Sequence, residues 1–132
     1  MNLNQITLPV IDVPEAVAFY RRLGLIQIVG SPHYARFESP RGDATFSVHQ
    51  VESLGDTRGV VVYFECDDLD DTVTRLCNAG VVFDTLPTDE RWLWREARLR
   101  DPAGNVLCLF QTGENPRNPP WRIAPDLLPG AT

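Results

Sequence analysis

Arg98-Leu99-Arg100-Asp101-Pro102-Ala103-Gly104-Asn105-Val106-Leu107-Cys108-Leu109-Phe110 holds two alternating runs separated by a block of turn formers, and its reading decides the fold. Pro102 presets φ, Asp101 and Asn105 can bond their own backbone, and Gly104 supplies a left-handed residue. The stretch therefore predicts a β-hairpin. Strand alternation then sends Leu107 and Leu109 to one side of a sheet, and Val106, Cys108 and Phe110 to the other.

Upstream of the hairpin, the apolar run Val60-Val61-Val62-Tyr63-Phe64 reads as a strand, and Asp67-Asp68-Leu69-Asp70-Asp71 as the acidic first turn of a helix. Leu69, Val73, Leu76 and Cys77 form that helix's apolar stripe, and Gly80 ends it. Short strands are predicted near Val81 to Phe83 and Leu93 to Leu99, which makes the second half βαβββ. The first half reads the same way. A strand over Leu3 to Val10 leads into the capping box Asp12-Val13-Pro14-Glu15 and a helix to Leu23 with Ala16, Phe19, Tyr20 and Leu23 on one stripe; Gly24 stops it. Three strands follow, near Ile26 to Val29, Tyr34 to Glu38 and Ala44 to His49, divided by Gly30-Ser31-Pro32 and Pro40-Arg41-Gly42-Asp43.

A constant offset of 56 positions lays Asp12 on Asp68, Gly24 on Gly80 and Gln5 on Val61, so cap, stop and opening strand recur together. One helix covers one face of a small sheet in each repeat, and the other faces must be shared or left open. The expected fold is α+β: two βαβββ modules, 2–52 and 58–112, in pseudo-two-fold arrangement around a cup-shaped mixed sheet, within one domain spanning 1–112. Residues 113–132 contain five prolines and no period, and read as an extended tail in which Trp121, Ile123, Leu127 and Leu128 are anchors onto the chain's own sheet edge or a second subunit.

The chain has 132 residues, 43% of them hydrophobic and 23% charged, which suits one globular domain with its own core. Its formal net charge of −6 would repel nucleic acid and anionic membranes. No segment reaches the ~20 apolar residues of a spanning helix, and no secretory leader is evident, so a cytoplasmic protein is expected. Three cysteines without CxxC spacing read as reduced thiols. Every basic side chain is Arg; with no Lys, Schiff-base chemistry and a P-loop lysine are excluded. Neither a Ser/His/Asp order nor a dinucleotide glycine fingerprint is present.

Strand parity divides the strand residues into two sets. Ile6, Leu8, Phe37, Phe46, Val48, Val62, Phe64, Leu99, Leu107 and Leu109 form the apolar set that helices should cover. The opposite faces gather Gln5, Thr7, Tyr34, Arg36, Thr45, Ser47, His49, Val61, Tyr63, Glu65, Trp94, Glu96, Arg98, Cys108 and Phe110. Aromatics mixed with a few polar groups suit a small-molecule pocket, with Gln5, Arg36, Ser47, His49, Tyr63, Trp94, Glu96 and Cys108 as candidate ligand-binding residues. Arg36 and Glu96 also read as a cross-strand pair. Trp92-Leu93-Trp94, taken as strand, puts two indoles on one side, either as an aromatic wall for a flat ligand or as packing for the tail near Trp121.

The paired modules, the Asp-rich helix start, the Ala79-Gly80-Val81 stop and the Asp101-Pro102-Ala103-Gly104-Asn105 hairpin together resemble the glyoxalase/bleomycin-resistance/extradiol-dioxygenase superfamily, the vicinal oxygen chelate proteins, over residues 2 to about 112. The resemblance implies a cup, usually shared across a homodimer. In metal-dependent members the cup holds a divalent ion, with ligands on the first and last strands of each module. Carried over position by position, those ligands fall on Gln5, at or beside Ser47, on Val61 and on Cys108. An amide, a hydroxyl, an alkyl group and a neutral thiol are a poor set for a divalent ion, so no metal is expected. His49, on the face of Thr45 and Ser47, is the residue that a shift in register would bring toward Gln5 and Cys108.

Three functions follow. The first is a metal-free binding protein for an aromatic or antibiotic-like small molecule, acting as a homodimer. The second is a divalent-metal lyase, isomerase or ring-cleaving dioxygenase using Gln5, His49 and Cys108. The third is a metal-free enzyme with His49 or Glu96 as general base.

Overall fold

A computed structural model describes residues 2–56, 59–112 and 118–124. Its elements run β1 (Gln5–Val10), α1 (Val13–Arg22), β2 (Ile26–Ser31), β3 (Tyr34–Glu38), β4 (Thr45–Gln50), β5 (Val61–Glu65), α2 (Leu69–Asn78), β6 (Phe83–Asp89), β7 (Trp94–Arg100) and β8 (Val106–Thr112). This is the α+β architecture of two βαβββ modules. Each module builds its own four-stranded mixed sheet, ordered β1-β4-β3-β2 in the first and β5-β8-β7-β6 in the second. In both, the first strand pairs in parallel with the last, and the other pairings are antiparallel.

The 56-residue repeat is visible atom by atom. Asp12 accepts a hydrogen bond from Glu15 N at 2.9 Å, and Asp68 accepts from Asp71 N at 3.1 Å, each side chain capping its helix. At the other ends, Leu25 N donates to Tyr20 O and Val81 N to Leu76 O, while Gly24 and Gly80 take φ of +104° and +90°. Only glycine adopts that backbone without strain, which is why both helices stop there. With Gly80 and Val81 occupied in that cap, β6 starts at Phe83 and runs to Asp89, well beyond the short strand expected near Val81 to Phe83.

α1 and α2 each lie on one face of their own sheet. Leu8, Phe37, Phe46, Val48, Val62, Leu99, Leu107 and Leu109 are buried there, and Ile6 and Phe64 pack against them, as parity requires. Ala16, Phe19 and Tyr20 supply α1's contribution, and Leu69, Val73 and Leu76 that of α2. Cys77 departs from the expected stripe and is exposed. At 100° per residue it lies roughly 70° off the midline of Leu69, Val73 and Leu76, toward solvent.

The predicted hairpin is present, and its turn is built around Asp101. One carboxylate oxygen accepts from Ala103 N (2.9 Å) and Asn105 N (2.8 Å), and the other from Asn105 Nδ2 (2.8 Å). The turn also joins the modules: Tyr20 O–H donates to Asp101 Oδ2 at 2.6 Å, Asn105 Nδ2 donates to Pro9 O at 2.9 Å, and Phe46 meets Phe64 edge-on.

Two further expectations are corrected. Trp92 is in a turn, where Leu93 has φ of +72°, so Trp92 and Trp94 do not share a strand face. Trp121 and Ile123 are exposed rather than packed on the chain's own sheet; Leu127 and Leu128 lie outside the described residues. Among the described residues no helix is long and apolar enough to cross a membrane.

Candidate functional site

The helix-free face of the first sheet is a grid set by register. Tyr34 lies beside His49; Arg36, Ser47 and Thr7 form the next row; Glu38, Thr45 and Gln5 the one after. Ser47, fully buried, is the centre of this grid. Its hydroxyl lies 2.6 Å from Thr7 Oγ1 and accepts from Gln5 Nε2 at 3.1 Å, and Thr45 Oγ1 donates to Gln5 Oε1 at 2.8 Å. Every polar atom of the Gln5 amide is thereby engaged within the network. Arg36 Nε donates to the Tyr34 hydroxyl at 2.9 Å, with the guanidinium carbon 5.5 Å from that ring's centroid. Hydrogen bonding from Ser47, helped by Arg36 and Gln5, outweighs desolvation and holds the Tyr34 phenol below its usual pKa.

The matching face of the second sheet is aromatic. Trp94 and Phe110 have ring centroids 4.6 Å apart, and Tyr63 contacts both at 6.0 and 5.9 Å. The Trp94 indole Nε1 is buried there with no hydrogen-bond partner among the described residues. Beside the rings, Arg98 Nε donates to Glu96 Oε1 at 3.3 Å, and the Cys108 thiol donates to Glu96 Oε2 at 3.5 Å. Burial first, and then the Glu96 carboxylate, push the Cys108 thiol up to about 12. It is a neutral donor at physiological pH, as the sequence suggested.

The candidates thus separate into two groups. Gln5, Ser47 and Arg36 gather on the first sheet, and Tyr63, Trp94, Glu96 and Cys108 on the second. His49 sits at the exposed end of β4, in register with Pro9 and Tyr34, and the ladder shows no shift toward Gln5. Arg36 and Glu96 belong to different sheets and do not pair: their partners are Tyr34 and Arg98.

Register also tests whether a divalent ion fits. Gln5 is committed to Thr45, Thr7 and Ser47; Val61 offers no donor atom; Cys108 is a protonated thiol bonded to a carboxylate that already faces Arg98. Among the described residues no three His, Cys, Asp or Glu side chains converge. The residues at these positions do not fit a metal centre.

A cavity of about 640 Å³ opens elsewhere, between the modules. It runs from Leu25 and Arg41 of the first module to Cys66, Thr72 and Arg75 of the second, with Tyr63 at its border, and the Arg41–Asp67 ion pair (3.0 Å) links its two sides. Of the sequence candidates only Tyr63 lines it. Phe64, Glu65 and Leu109 of β5 and β8 line it as well, and the rest of its wall comes from a helix end, a turn, the segment leading into α2 and α2 itself, which carry no strand parity to read.

A family model described as the Glyoxalase/Bleomycin resistance protein/Dioxygenase superfamily matches residues 2–109. Among solved structures, a glyoxalase/bleomycin resistance protein/dioxygenase from Nocardioides superposes with a TM-score of 0.75 at 23% identity, covering 94% of this chain and 90% of that one. A bleomycin resistance determinant encoded on transposon Tn5 gives 0.71 at 22%, covering 86% and 100%. A lactoylglutathione lyase from Agrobacterium tumefaciens gives 0.68 at 19%, covering 83% and 92%. At these identities the structures share the fold. No curated protein matches the chain.

Proposed function

Because the chain belongs to the glyoxalase/bleomycin resistance protein/dioxygenase superfamily, we propose that it binds a small aromatic or antibiotic-like molecule against its helix-free sheet faces, without a resident metal. One observation carries the reading: the positions assigned to metal ligands hold Gln5, Ser47, Val61 and Cys108, and what surrounds them is a ring cluster on one sheet and a hydroxyl network on the other. Aromatic clusters with a few fixed polar groups are how proteins hold flat ligands. The Trp94 N–H, unpartnered among the described residues, supports this, since a ligand acceptor would satisfy it.

Both faces are open in one chain, with Tyr63 45% exposed. A second copy laid over them would close a cup, so a homodimer is part of the proposal. So are cytoplasmic residence, suggested by the acidic charge and three free thiols, and the absence of nucleic-acid or membrane partners.

Titration of Trp fluorescence with a panel of planar aromatic compounds tests the reading. Saturable quenching by at least one, lost in Trp94→Phe, is the expected result. A panel with no saturable quencher overturns it.

A further inference from the structure

Superposing the two modules by register brings out a difference in charge. Arg36 lies opposite Ser47, which lies opposite Thr7; Arg98 lies opposite Cys108, which lies opposite Tyr63. The 56-residue repeat maps Thr7 onto Tyr63, so Arg36 and Arg98 hold the same place in the two sheets. Their neighbours two residues before are Tyr34 and Glu96. Arg98 therefore faces a buried carboxylate at 3.3 Å, whereas Arg36 faces a phenol.

Arg36 is thus a guanidinium with no carboxylate paired to it among the described residues. Of the three half-buried arginines, Arg95 and Arg98 each pair with a carboxylate and Arg36 has none among the described residues; the others without an ion pair there, Arg21, Arg22, Arg75 and Arg91, are exposed to solvent. Its Nε donates to the Tyr34 hydroxyl and its guanidinium carbon lies 5.5 Å from that ring's centroid, which ties the Arg36 side chain to Tyr34, and its terminal nitrogens have no protein partner among the described residues. The side chain is half-buried, in a row with the hydroxyls of Ser47 and Thr7. A half-buried guanidinium whose two terminal nitrogens are unengaged can receive an oxyanion in bidentate fashion. The Tyr34 phenol, held below its usual pKa first by hydrogen bonding from Ser47 and then by Arg36, is consistent with this.

We infer that the ligand carries a carboxylate, and that Arg36 binds it while the Ser47, Thr7 and Tyr34 hydroxyls flank the site. This rests on the small-molecule reading above and narrows it to aromatic acids. Neutral or cationic aromatics would leave Arg36 unpaired.

Isothermal titration of the full chain with 2-naphthoate and with its uncharged counterpart 2-naphthamide, on wild type, Arg36→Met and Arg36→Lys, separates the two ideas. The acid should bind wild type at least about 10-fold more tightly than the amide. Arg36→Met should abolish that preference, while Arg36→Lys should retain part of it. Equal binding of acid and amide to wild type, or unchanged acid binding in a folded Arg36→Met, overturns the carboxylate assignment and leaves the aromatic site standing. Binding of neither compound overturns both.

Discussion

The Tyr20 hydroxyl donates to Asp101 Oδ2 at 2.6 Å, joining the helix of the first module to the hairpin turn of the second across 81 residues of chain. Both side chains are buried, and Asp101 accepts from two backbone N–H groups and the Asn105 amide as well. Tyr20→Phe removes one donor and leaves the turn intact, at a cost of about 1–2 kcal/mol. Asp101→Ala strands all four donors and should cost about 3–5 kcal/mol. Urea unfolding of the two variants checks the ranking; equal midpoints would show that the turn, rather than the link to α1, carries none of the stability.

The three thiols should react in a fixed order. Cys77 is exposed, Cys66 half-buried with its pKa raised by burial, and Cys108 fully buried with a pKa of about 12. At pH 8 a thiol reagent should label Cys77 at once, Cys66 slowly and Cys108 only on unfolding. Mass mapping of the labelled sites over time reads this directly.

Alkaline stability follows from the same thiol. Its folded pKa is raised above the ordinary 9.0, so the folded state favours the protonated form. That contribution is complete below about pH 9 and is lost as pH rises toward about 12. Burial, together with Asp101, raises the Tyr20 phenol as well and adds to the loss at the alkaline end. Cys108→Ala should flatten the decline in melting temperature between pH 9 and 11 relative to wild type.

Gly24 and Gly80 provide a matched pair of tests. Nothing lies within 4 Å of a Cβ built on either, so alanine costs only the strain of positive φ. Each substitution should destabilise by about 1 kcal/mol, and the double variant by about the sum, since the sites are on separate helices. Thermal unfolding measures all three.

Addition of Zn, Ni, Mn or Fe(II) after chelation should move the melting temperature by less than about 1 °C, because nothing at Gln5, Ser47, Val61 and Cys108 gives a divalent ion a favourable site in the folded state. A rise of several degrees, abolished in Cys108→Ala, would overturn the metal-free reading.

Much of this was legible in the sequence because it depends on short periods. Parity placed Ser47 and Cys108 on the faces away from the helices, and the offset linking Asp12 to Asp68 anticipated both caps. Contacts between elements distant in the chain were not legible. Nothing local to Tyr20 announces that its hydroxyl reaches Asp101, and the cavity behind Arg41 and Arg75 is assembled from pieces with no common period. Trp92 shows the opposite failure: an alternating pattern was present, but the positive φ at Leu93 interrupts it. Arg36 and Arg98 look alike in the sequence, and only the register shows that one has a carboxylate beside it and the other a phenol.

The two strand ladders never merge: among the described residues no backbone-to-backbone hydrogen bond spans the modules. A chain severed in the linker around residue 57 would keep every rung of both ladders and lose only covalent continuity. The halves would then have to find each other through the Tyr20–Asp101 and Asn105–Pro9 hydrogen bonds, the edge-on Phe46–Phe64 pair and the Arg41–Asp67 ion pair, which makes this protein a natural candidate for reassembly from two fragments.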